Sequence, residues 1–133
     1  MWNKYVKYFN NPSLGLLLLR LALGIVFIYH GLTKFQNMDT TIGFFASVGL
    51  VAAVAWMVAS IETLGGMAVL LGVGTRVAGG LLAVVMLGAI ITVKGAMGFA
   101  NGGYEFDLVL LLSSLAILFM GPGRYTVKYA LNR

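Results

Sequence analysis

Long apolar runs, each carrying only a few ionisable residues, alternate with short stretches rich in Gly, Pro and charge. A bilayer core needs about 20 consecutive apolar residues to cross it as a helix. Residues 14–35, 51–71 and 77–97 meet that pattern, and a shorter run covers 105–120. Asn11, Pro12 and Ser13 open the first run, and Pro12 suits a helix start because its missing N–H would be unpaired there anyway. Gly121-Pro122-Gly123 closes the last. Each run must be helical in lipid, because an open strand leaves backbone groups without partners. The pattern predicts an all-α, integral membrane four-helix bundle, with residues 1–133 as a single transmembrane domain. Lys4 and Lys7 precede the first run, but the run outlasts a signal peptide and reads as an uncleaved span.

The connections carry the orientation. Lys4, Lys7, Arg76, Arg124, Lys128 and Arg133 fall on one side, while Lys34 and Lys94 on the other are offset by Asp39, Glu105 and Asp107. The positive-inside rule then places both termini and the Arg76 loop in the cytoplasm. Trp2, Tyr5 and Tyr8 at one terminus, and Tyr125 and Tyr129 at the other, suit the membrane surface. The Gln36–Leu50 connection is long, with Asp39 or Thr40 as candidate N-cap. Ile42, Phe44, Phe45 and Val48 would form the apolar side of a short interfacial helix, or the segment is an ordinary anchored loop. Gly98–Gly103 reads as a Gly-rich turn.

Residues 24–31 resemble 88–95, with His30 matching Lys94, and the second and fourth runs end alike in Gly72-Val73-Gly74 and Gly121-Pro122-Gly123. The similarity suggests a parallel duplication of a helical hairpin; chance likeness of Gly-rich apolar helices is the alternative. At 100° per residue, Arg20, Gly24, Phe27, Gly31 and Lys34 share one stripe, and Ala55, Ala59, Glu62 and Gly66 share another. Small residues let membrane helices approach, so the two stripes are expected to face each other. Arg20 lies about 9 Å into its run and Glu62 about 15 Å from the end of its own, at about 1.5 Å per residue. An Arg20–Glu62 ion pair follows as an expectation, either as a clip that sets register or as the floor of a ligand cavity.

A second group gathers near the opposite ends. His30, Lys34 and Lys94 come late in outward-running helices, and Glu105 and Asp107 open the fourth, where carboxylates suit the positive end of the helix dipole. This is either a charge-balanced rim with snorkelling lysines or a polar mouth over an apolar cavity, able to take a quinone head group or a small anion. Phe27, Phe35, Met97 and Phe99 would line such a pocket or simply pack.

Composition narrows the chemistry. The chain is 60% hydrophobic with only 10% charged residues, against roughly 25% in soluble proteins. A net charge of +5 and pI near 9.8 sit in flanks and loops, not on a basic face with interleaved aromatics, so no nucleic-acid partner is expected. There are no cysteines, which removes disulfides, thiolate ligands and redox chemistry by the chain's own thiols. A lone histidine with scattered carboxylates makes a poor metal site. No bound metal, haem or flavin is expected, and there is no Ser-His-Asp spacing, P-loop or dinucleotide fingerprint.

Leu19-Arg20-Leu21, Gly31-Leu32-Thr33-Lys34-Phe35, Glu62 with Gly65-Gly66, Gly74-Thr75-Arg76, Glu105-Phe106-Asp107 and Gly121-Pro122-Gly123-Arg124-Tyr125 occur in this order. In them the chain resembles the DoxX family of small bacterial and archaeal membrane proteins. The resemblance implies a multi-pass four-helix bundle in the plasma membrane. The family takes its name from a membrane subunit linked to thiosulfate oxidation with quinone as acceptor, and other members are described as partners of soluble redox proteins. The charged positions that carry over are Arg20, Lys34, Glu62, Arg76 and Glu105; no catalytic residue does.

The resulting expectation is a membrane subunit of a quinone-linked oxidoreductase system. A quinone or small sulfur compound would sit between the outer cluster and Arg20–Glu62. The candidate binding residues are Arg20, His30, Lys34, Glu62, Lys94, Glu105 and Asp107. Arg20 and Lys34 would orient polar groups, and Glu62 or His30 would relay protons. A soluble redox partner would hold the donor site, and the Gly-rich faces permit a homo-oligomer. The alternative from another class is a non-catalytic scaffold, or a carrier of a small molecule or ion; lipid handling is a third.

Overall fold

The computed structural model describes residues 5–6 and 9–132. Trp2, Lys4, Lys7, Tyr8 and Arg133, which enter the orientation argument, lie outside the described residues. The described chain is helical without strands. Its elements are α1 (Pro12–Gln36), α2 (Met38–Ser47), α3 (Ala52–Leu71), α4 (Thr75–Ala89), α5 (Glu105–Met120) and α6 (Val127–Leu131). Helix α4 continues through a π-helical turn, Ile90–Lys94, and a 3-10 turn, Gly95–Met97.

Local chemistry sets the ends. The Asn11 side chain accepts the Leu14 N–H at 3.1 Å and so caps α1, with Pro12 following it. Gly72 ends α3 in the left-handed region at φ 77°, a conformation that costs glycine nothing. The cap of α2 is not Asp39 or Thr40 but Asn37. That residue also closes α1: its side-chain Nδ2 donates to the Thr33 carbonyl at 3.1 Å. The chain turns as soon as α1 stops, so Asp39 falls inside the first turn of α2 instead of ahead of it. The 36–50 connection is therefore largely a helix, and Ile42 and Phe45 pack against Met38, Ala55 and Ala59.

Residues 12–36, 52–71 and 75–97 form helices long and apolar enough to cross a membrane. Helix α5 has 16 residues and a length of about 24 Å at 1.5 Å per residue, shorter than a hydrocarbon core of about 30 Å.

Glycines decide which helices touch. A Cβ on Gly24 would stand 2.9 Å from the Gly66 carbonyl oxygen and 2.9 Å from Leu70 Cβ, so α1 and α3 meet backbone to backbone. A Cβ on Gly79 would stand 2.8 Å from the Ser114 carbonyl oxygen, and α4 meets α5 in the same way. Leu23, Phe27, Val69, Leu82 and Ile117 fill the core between the two pairs.

An arginine clasps the C-terminal end of one helix in each pair. Arg76 Nη1 donates to the carbonyls of Leu118 (3.0 Å) and Phe119 (2.8 Å) at the end of α5. Arg20 donates to Val69 (2.8 Å) and Leu70 (3.0 Å) at the end of α3. A cation there satisfies carbonyls that have no helical partner and opposes the negative end of the dipole. Each clasp needs the glycine that ends its helix. A Cβ on Gly72 would lie 2.6 Å from Arg20 Nη2, and one on Gly121 would lie 3.1 Å from Arg76 Nη2.

Candidate functional site

At the end of the bundle away from these arginines, the helices enclose a cavity of about 570 Å³. Such a volume falls in the range of small-molecule sites, about 300–1,000 Å³. Phe27, Val58, Ile61, Val85, Met86 and Leu110 form its apolar wall. Phe44 and Phe45 of α2, with Val48 and Leu50 just beyond its end, also line it, so α2 is one wall of the site.

Six ionisable side chains reach the cavity: His30 and Lys34 from α1, Glu62 from α3, Lys94 from the π-helical turn, and Glu105 and Asp107 from α5. His30 and Lys34 are one turn apart on the same face of α1. Lys34 Nζ donates to Glu62 Oε2 at 2.7 Å. Glu62 is 3% exposed and Lys34 24%. Glu62 is the eleventh of the 20 residues of α3, so this pair lies deep in the bundle. A charge near a bilayer centre is costly unless paired or facing a polar space, and here the carboxylate has its counter-ion on the next helix. His30 and Asp107 lie close enough to act electrostatically on Glu62. The His30 ring also meets Phe106, with centroids 6.3 Å apart. Lys94 Nζ donates to the Gly102 carbonyl at 3.1 Å and ties the α4 end to the loop before α5. Among the described residues, no three of His, Cys, Asp and Glu come together to hold a metal ion.

The expected Arg20–Glu62 pair is absent. Arg20 is 1% exposed and spends its donors on four carbonyls: Val69, Leu70, Pro122 (2.8 Å) and Tyr125 (2.6 Å). The two stripes do face each other, but their register follows the Gly24–Gly66 contact. In an antiparallel pair that contact sets Arg20 opposite the end of α3, two turns from Glu62. The flexible Lys34 stem reaches the carboxylate instead. Arg20 lies outside the cavity and fastens the segment after α5 to the α1–α3 pair. Of the apolar candidates, Phe27 lines the cavity, Phe35 packs against Trp56, Phe99 packs against Tyr104, and Met97 is exposed.

Sequence reasoning did not single out Phe106, Thr92 or Gly88, which also line the cavity. Phe106 was within reach, lying between the two carboxylates that open α5. Thr92 lies in the π-helical turn, which shifts the facing that 100° per residue predicts, and Gly88 entered through the repeat of residues 24–31 in 88–95.

The profile of the DoxX family matches residues 15–95. The chain is 48% identical over 109 residues to "Putative oxidoreductase CatD" of Bacillus subtilis, covering 82% of this chain and 81% of that protein. It is 32% identical over 148 aligned positions to "Uncharacterized membrane protein Rv3486" of Mycobacterium tuberculosis, covering 99% of this chain and 89% of that protein. No solved structure matches significantly.

Proposed function

Because this chain belongs to the DoxX family of membrane proteins, we propose that it is a membrane subunit of a quinone-linked oxidoreductase system and holds the quinone ring in the cavity. The observation that carries this reading is the meeting of an apolar chamber with the buried Lys34–Glu62 pair and His30. A quinone ring is flat and apolar at its faces and carries carbonyl acceptors at two ends. The chamber offers the matching surfaces, apolar walls and donors on one side.

When bound, the quinone supplies two-electron, two-proton carrier chemistry. The chain's own part is to bind, orient and exchange protons. Lys34, held in place by Glu62, would offer an ammonium donor to the ring's carbonyl oxygens. His30, one turn away, is the second donor. Glu62 or His30 would relay protons between the ring and the mouth, where Glu105 and Lys94 stand. The electron donor belongs to a soluble partner, in keeping with a chain that has no thiol of its own.

The same reading makes the protein multi-pass in a bacterial or archaeal plasma membrane. Helix α5 is then the fourth span of a four-helix bundle, and both termini are cytoplasmic. All four acidic residues, Asp39, Glu62, Glu105 and Asp107, lie toward the cavity end. Arg20, Arg76, Arg124 and Lys128 lie toward the other, as positive-inside topology requires.

Solvent extraction of protein purified in mild detergent tests the proposal. The expected result is about one quinone per chain in the parent and none in Glu62→Gln. Bulk phospholipid alone in both would move the weight to a scaffold or carrier.

A further inference from the structure

Part of the cavity wall is exposed on the outside of the bundle. Met57 of α3 and Val84 of α4 both line the cavity, yet they are 54% and 68% exposed on the outside of the bundle. The chamber therefore breaks the perimeter between α3 and α4. Toward the arginine end the two helices touch, where a Cβ on Gly65 would lie 3.2 Å from Leu82. Seven residues further along each helix, a rise of about 10 Å, the facing residues are Val58 and Ala89, and both line the cavity.

Gly88 stands at this level. A glycine inside a helix destabilises it against Ala, which close packing offsets at Gly65, Gly66 and Gly79. Nothing lies within 4 Å of a Cβ placed on Gly88. This glycine leaves space open where its neighbours close it. The π-helical turn begins two residues later. The gap is apolar along Val58, Met57, Val84 and Ala89, and the ionisable groups sit at its inner end. That gradient suits one kind of molecule: a polar ring on a long apolar chain, arriving from the bilayer.

We propose that the gap between α3 and α4 is a lateral portal, through which a tailed quinone enters from the lipid and in which its isoprenoid tail stays lodged. The inference rests on the quinone reading above. Phe44 and Phe45 of α2 line another side of the chamber, and the lipid-facing gap is the route for an apolar chain.

Two probes separate this inference from the reading beneath it: a benzoquinone with a ten-carbon tail, and the same ring without the tail. Equilibrium binding would be measured for the parent, Gly88→Phe and Val84→Trp, with thermal unfolding as a check on folding. Val84→Trp changes an exposed position, so it reports even where Gly88→Phe fails to fold. The expected result is at least tenfold tighter binding of the tailed probe by the parent. Both variants should lose that advantage, so that the tailed probe and the bare ring bind each of them within about twofold of one another. Equal affinity of the parent for the two probes overturns the portal and leaves the ring site standing; a gap filled by acyl chains of bilayer lipid gives this result. An undiminished tail advantage in both variants overturns it as well. Failure of the parent to bind either probe overturns the quinone reading and the portal together.

Discussion

Arg20 and Glu62 are both buried charges, and their surroundings give them different work. Arg20 has no acidic partner among the described residues; its guanidinium ends on carbonyls of α3 and of the segment after α5. Hydrogen bonds to a charged group contribute about 1.5–3 kcal/mol each before non-additivity. Arg20→Ala should therefore lower stability by about 3 kcal/mol or more in detergent unfolding. Arg20→Lys should recover little of that, because an ammonium cannot match the planar fork; full recovery by Lys would show that only charge matters. Glu62 is bound to Lys34 inside the cavity. Breaking a buried pair from one side costs about 3–5 kcal/mol, whereas replacing both members with apolar groups is often neutral. Glu62→Gln should be destabilised, and Glu62→Leu with Lys34→Met should unfold near the parent temperature yet bind no quinone. A double variant that still binds would remove the pair from the site. The sequence made these charges conspicuous but not their partners. A lysine stem can reach a turn in either direction, and the return of Pro122 and Tyr125 onto Arg20 leaves no trace in periodicity.

At the level of helices, contact is set by where a Cβ is forbidden. Gly24→Ala puts a methyl 2.9 Å from Gly66 O, so α1 and α3 must separate, at a cost of about 1–3 kcal/mol. Gly15→Ala, with nothing within 4 Å, should be neutral or stabilising by up to about 1 kcal/mol. Thermal unfolding of the two variants checks the contrast, and equal effects would refute the close α1–α3 crossing. These faces were legible because 3.6-residue periodicity brings Gly24 and Gly31 onto one stripe and Ala59 and Gly66 onto another. The helix over Met38–Ser47 was only half legible. Its apolar residues showed, but Asn37 serves two helices at once, and a reading that seeks a fresh cap after the loop passes over it. The π-helical turn was not legible, since nothing in Ile90–Lys94 distinguishes it from an ordinary helical turn.

For the whole molecule, the separation of charge predicts its placement in the membrane. The chain has no cysteine, so single substitutions give a clean readout. Ala100→Cys, in the exposed loop at the cavity end, should react with an impermeant thiol reagent in intact cells. Arg124→Cys should react only after lysis, and the reverse pattern would invert the orientation. The two-ended design, with arginine clasps at one end and an ionisable chamber at the other, was partly visible from the flanking charges. The chamber was legible only as one of two readings of the outer cluster, because an internal volume depends on the splay of α3 from α4.

The central claim is that a quinone ring sits against Lys34, Glu62 and His30. Photolabelling with an azido-benzoquinone, followed by peptide mapping, tests it most directly. Label is expected within residues 27–34, 57–62 and 84–94, suppressed by excess unlabelled quinone. Label confined to lipid-facing positions such as Leu18 and Leu112, unaffected by competitor, would contradict it.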